Sequence, residues 1–182
     1  MAVTITPTEF HFVKFDHAEA VRVVEELLDR LGMAARDVTI AIDETTPLAR
    51  AEIKGTDPIT LAVESGAFEN PRVLRTLLAD NVTNVTGRLL LRIRDRESGA
   101  FADAPADADL TLPQLAAWEV HSNGRLGRMG YPMQRQRWLY HFRNRHGFTD
   151  AADAAFDRLW ETDDLSWSDI SAIIATAAPV GS

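Results

Sequence analysis

The spacing of apolar residues changes once along this chain of 182 residues, and no other feature narrows its fold as much. Before residue 97, short β-branched and aromatic runs stand between helical patterns. After residue 109 nearly every pattern is helical. A stretch rich in Ala, Asp, Gly and Pro, 97–109, lies between the two. The expectation is an α+β protein. A small N-terminal sheet with one early amphipathic helix occupies 1–96, a linker or long loop follows at 97–109, and a helical half fills 110–178. The pattern leaves open whether the linker separates two domains or is a loop within one compact domain, 1–178.

In the first half, Glu9–Phe15 reads as a strand. Asp16, with Glu19 three residues on, predicts a capped helix start. Ala20, Val21, Val24, Leu27, Leu28 and Leu31 then form one apolar face, and Gly32 closes the helix. Strands are predicted over Val38–Ile42, Leu48–Ile53 and Ile59–Val63. Asn70-Pro71 reads as a helix start, and 81–96 as a helix. In the second half, Thr111 and Gln114 open a helix that runs to about Ser122, with Gly124 as its stop. Further helices are expected from Pro132 to Gly147, from Thr149 onward, and from Ser166 to about Ala177. The tail Pro179–Ser182 is expected to be loose.

Charge divides the chain differently. Residues 1–117 carry 12 bases and 19 acids, and 149–182 carry one base and seven acids, whereas 118–148 carry six arginines and one acid, Glu119. Tyr131, Trp138, Tyr140, Phe142 and Phe148 run through that basic block. A net charge of -8 rules against broad nucleic-acid binding over the whole surface and leaves the central block as the one stretch suited to anions. There is no Cys, which excludes disulfides, thiolate metal sites and a Cys nucleophile. The opening residues lack a signal peptide's basic and long apolar segments, and no apolar run reaches membrane-spanning length, so a cytoplasmic protein with no membrane partner is expected.

Arg125, Arg128, Arg135, Arg137, Arg143 and Arg145, with Tyr140 as a stacking surface, are the candidate anion-binding residues. The competing expectation is that these arginines pair internally with Asp150, Asp153, Asp157, Glu161, Asp163 and Asp164 just downstream. A helical wheel sets Arg135 among Trp138, Leu139, Phe142 and His146. It also sets Glu119 inside the apolar arc of the preceding helix, which predicts a Glu119–Arg135 ion pair. Asp43 and Glu44 end a predicted strand and form a second candidate, as acid and base or as metal ligands, against the competing reading of an ordinary turn. The five histidines follow no zinc-ligand spacing, and no nucleotide-binding or nucleophile motif is present, so neither a metal nor a cofactor is expected.

The function these residues point to is non-enzymatic: a binding or adaptor domain that uses the 125–145 face for an anionic partner. That partner is an acidic protein surface, a second copy in a homo-oligomer, or a nucleic acid. The alternative is an enzyme of unfamiliar type, with a cleft between the sheet and helical halves and Asp43, Glu44, Glu119, His121 and Arg135 as the residues to test.

Overall fold

The computed structural model describes residues 2–177, and the tail Pro179–Ser182 lies outside them. The protein is α+β: a small N-terminal sheet and early helix are followed by helices. The chain forms two compact units, Met1–Leu89 and Leu90–Ser182. Their division falls within a helix, and residues 97–109 belong to the second unit. Among the described residues no helix is long and apolar enough to cross a membrane.

The N-terminal unit begins with β1 (Val3–Thr6) and α1 (His17–Arg30), followed by β2 (Val38–Asp43), β3 (Ala51–Thr56) and β4 (Ile59–Glu64). The sheet order is β1-β2-β4-β3, with β1, β2 and β4 parallel and β3 antiparallel to β4. Val38, Ile40 and Ile42 alternate inward along β2, as do Ile59, Leu61 and Val63 along β4, which is the period-2 pattern of a half-buried sheet. Val24, Leu27 and Leu28 of α1 are fully buried. The cap is as expected: the Asp16 carboxylate accepts from the Glu19 N–H at 3.0 Å, and Gly32 leaves the helix at φ 70°. The unit ends with a hairpin of β5 (Glu69–Asn70) and β6 (Val73–Leu77), then the start of α2 (Ala79–Glu97).

Two N-terminal expectations fail for identifiable reasons. Glu9–Phe15 is not a strand, because the N–H groups of His11, Phe12 and Val13 all converge on one Glu44 carboxylate oxygen, at 2.8, 2.6 and 3.3 Å. Successive strand N–H groups point to opposite sides, so three on one oxygen require a coiled segment. Asn70-Pro71 begins a turn and not a helix: the Asn70 side chain accepts from the Arg72 N–H at 2.9 Å, closing an Asx turn.

The C-terminal unit holds the end of α2, then α3 (Leu112–Arg128), α4 (Arg135–His146), α5 (Asp150–Glu161) and α6 (Trp167–Ala177). Its core is aromatic: Trp118, Phe142 and Phe156 are almost wholly buried, and Phe101 stacks on Trp118 at 4.8 Å. The 97–109 stretch therefore contributes a core residue. Thr111 and Gln114 form the expected capping box. Gly124 does not end α3, which runs through it to Arg128. A Cβ on Gly124 would stand 2.8 Å from the Trp160 carbonyl carbon and nearer still to its oxygen. The glycine is there so that α3 can cross the end of α5 at backbone contact.

Candidate functional site

The arginine block resolves into two populations. Arg125 points inward from α3 and lies flat against Asp95, with N–H donors at 2.7 and 2.6 Å from the two carboxylate oxygens. Both residues are buried, and the Trp118 indole N–H adds a third bond to Asp95 at 2.7 Å. A planar guanidinium meeting a carboxylate through two parallel bonds is the geometry in which burying both charges is tolerable. Arg128 closes the end of α5, donating to the carbonyls of Trp160 and Thr162 and to Asp163. That hydrogen bond holds the Asp163 carboxyl below its ordinary range, against the opposing effect of burial.

Arg143 meets Asp153 through two bonds of 2.7 and 2.5 Å. Arg135 was expected on Glu119 and instead donates to Asp157 at 2.6 Å, with its guanidinium over the Phe156 ring at 5.1 Å. The wheel set Arg135 among the apolar residues of its own helix, but α5 supplies both the rings under its guanidinium, Phe156 and Trp160, and the acid. A partly exposed cation on an aromatic face keeps its head in water while its stem packs, so no charge on α3 is required. Glu119 is half-buried beside a small groove of about 110 Å³ between α3 and α4, lined by Leu112, Leu115, Ala116, Trp138, His141 and Arg145.

The second population faces outward. Arg137, Tyr140, His141, Asn144 and Arg145 recur at helical spacing on one face of α4, and all five are exposed. Phe148 lies beyond the helix end, is 63% exposed, and meets Tyr140 edge-on at 6.0 Å. No acidic residue occurs anywhere in α4. The opposite face carries Leu139, Phe142 and His146 into the core, where His146 stacks on Phe142 at 4.0 Å and donates to the Pro113 carbonyl. The structure therefore brings Arg137, Tyr140 and Arg145 together on one surface and uses Arg125, Arg128, Arg135 and Arg143 to hold the unit together.

The candidate catalytic residues have other occupations. The Asp43 carboxylate accepts the hydroxyl and backbone N–H of Thr45, which lower its pKa as in an ordinary turn. Glu44 is buried; desolvation pushes its pKa up, and the N–H groups of Phe12, His11 and Val13 more than offset this, so it stays an anion. His121 is wholly enclosed, and its Nδ1 donates to the Leu159 carbonyl at 3.3 Å. Burial first, and the neighbouring Arg125 second, lower its pKa to about 4, so the ring is neutral at pH 7. Glu119 and His121 are two residues apart on α3 and face different neighbours, the first the α4 groove and the second α5. Among the described residues no three His, Asp or Glu side chains are grouped to hold a metal ion.

Asp95 is the functional partner that sequence reasoning missed. Its signal was available: a lone acid within Leu91-Arg-Ile-Arg-Asp-Arg96, four residues after Leu91 and so on the buried face of α2. Comparison of the chain with protein-family models, with curated proteins and with solved structures finds no match.

Proposed function

We propose that this chain is a non-catalytic binding or adaptor protein whose C-terminal unit takes an acidic polypeptide on the outer face of α4. One observation carries the proposal: after four arginines of the block have been taken up by Asp95, Asp163, Asp157 and Asp153, the remaining cations Arg137 and Arg145 share one face with Tyr140 and His141 on a helix that itself carries no acid, beside a groove whose single carboxylate is Glu119, in a chain of net charge -8. Arg and Tyr are the residue types that anchor protein interfaces, and the α3–α4 groove alongside offers an apolar floor for one side chain of the partner. The cytoplasmic location expected from the sequence belongs to this proposal. So does the choice of a separate acidic protein as partner, with a second copy and a nucleic acid as the outcomes that would replace it.

The test is fluorescence anisotropy of a labelled acidic peptide, a duplex DNA and an RNA against the full chain over a range of salt. The acidic peptide should bind, weaken with salt, and lose about tenfold or more with Arg137→Glu/Arg145→Glu. Binding of all three polyanions alike, or binding that the double variant leaves unchanged, would refute the assignment to this face.

A further inference from the structure

Where the ends of α2 and α3 meet the turn between α5 and α6, the C-terminal unit holds an open cleft of about 660 Å³. Every residue that lines it lies between 94 and 169, within that unit. Its size falls inside the range of small-molecule sites, about 300–1,000 Å³. The floor is the buried Arg125–Asp95 pair, with Phe101 and Leu165 as apolar surface alongside.

Most of the charge around the cleft is fixed by the fold. Both Asp95 oxygens accept from Arg125, and one also takes the Trp118 N–H. Arg128 is tied to Asp163 and to the Trp160 and Thr162 carbonyls. Asp169 closes the capping box of α6, accepting the Ser166 N–H and hydroxyl at 2.9 and 2.6 Å, and Arg158, outside the cleft, draws on its charge. Side chains locked in this way make a preorganised wall, ordered by folding before any ligand arrives.

Arg94 and Asp164 complete the charged lining. Arg94 is half-buried. Burial first, and the neighbouring Arg125 second, hold its pKa below the usual guanidinium range; Asp95 draws the other way, but its oxygens already serve Arg125. An anion beside Arg94 relieves that repulsion. Asp164 is exposed and, among the described residues, makes neither hydrogen bond nor ion pair. Counted together, three arginines and four aspartates line the cleft, a sum of -1 that Arg158 beside Asp169 offsets. The cleft is thus close to neutral, with a positive site on α2 and a negative one on the α5–α6 turn. A ligand of one charge answers one of these sites, and a ligand carrying both charges answers both. We propose that the cleft binds a small zwitterion, with its carboxylate at Arg94, its ammonium group at Asp164 and an aliphatic stem over Phe101 and Leu165.

The test is isothermal titration calorimetry of the full chain with four probes that share one aliphatic stem: norleucine and 6-aminohexanoate, which are isomeric zwitterions, and hexanoate and hexylamine, which each carry one charge. At least one zwitterion should bind about tenfold or more tighter than both single-charge probes, as one charge-assisted contact requires. Arg94→Gln should weaken that zwitterion to the level of hexylamine, and Asp164→Asn to the level of hexanoate. Asp164 is so exposed that its Asn variant keeps the fold, which circular dichroism checks. Arg137→Glu/Arg145→Glu should leave binding intact, so this cleft and the α4 face stand or fall separately. Failure of both zwitterions to bind, equal binding of hexanoate or hexylamine, or no effect of Asp164→Asn would overturn the proposal.

Discussion

Substituting Ala for the two glycines of α3 sets two physical effects against each other. In a helix interior, Gly→Ala gains up to about 1 kcal/mol of helix propensity. At Gly127 nothing opposes that gain: an added Cβ would lie 3.7–3.8 Å from the side chains of Met133 and Trp160, which is ordinary contact. At Gly124 the added Cβ would lie 2.8 Å from the Trp160 carbonyl carbon and 2.9 Å from its Cα, both fixed backbone atoms. The Trp160 carbonyl oxygen is nearer still, so to restore ordinary contact α3 and α5 must part by on the order of an ångström, and the core between them loses contact along its length. Overpacking of this kind costs about 1–3 kcal/mol, and the bonds from Arg128 to the Trp160 and Thr162 carbonyls are stretched as well. Gly124→Ala should therefore destabilise by about 1–2 kcal/mol net, and Gly127→Ala should stabilise by up to about 1 kcal/mol. All four tryptophans, Trp118, Trp138, Trp160 and Trp167, lie in the C-terminal unit, so tryptophan fluorescence in urea reports on that unit alone. A Gly124→Ala chain as stable as wild type, or two variants that shift the same way, would refute the account of Gly124 as a close-approach residue.

His121 should give the C-terminal unit an acid-sensitive stability. Its pKa in the folded chain is about 4, against 6.5 when unfolded, so the unfolded state takes up the proton first. The neutral ring's contribution is complete above pH 6.5 and is lost as pH falls towards 4, by up to about 3 kcal/mol. His121→Asn removes the titration and should flatten that part of the urea-midpoint profile; parallel profiles would show that other groups cause the loss. Asp95→Ala and Arg125→Ala should each cost about 3–5 kcal/mol by stranding a buried charge, while Asp95→Leu/Arg125→Met should recover most of it. Additive losses in that set would mean that the two side chains do not act as a pair.

Local chemistry was legible wherever a few adjacent residues decide the outcome. The Asp16 cap, the Thr111–Gln114 capping box, the Gly32 exit and the period-2 faces of β2 and β4 all follow from side chains within one turn or one strand. So did the α+β class and the inward face of α4. Partner choice was not legible, because it depends on residues distant in the chain. Glu44 turned Glu9–Phe15 from a strand into a coil across about thirty residues. Asp157 took Arg135 in place of Glu119. Trp160 gave Gly124 a packing role where the sequence suggested a helix end. Composition alone therefore determined that the block 118–148 is basic and aromatic within an acidic chain. Only the tertiary structure decided which arginines are used up in ion pairs and which remain on the outer face of α4, because an ion pair forms where packing brings opposite charges within reach, and sequence spacing does not measure that distance.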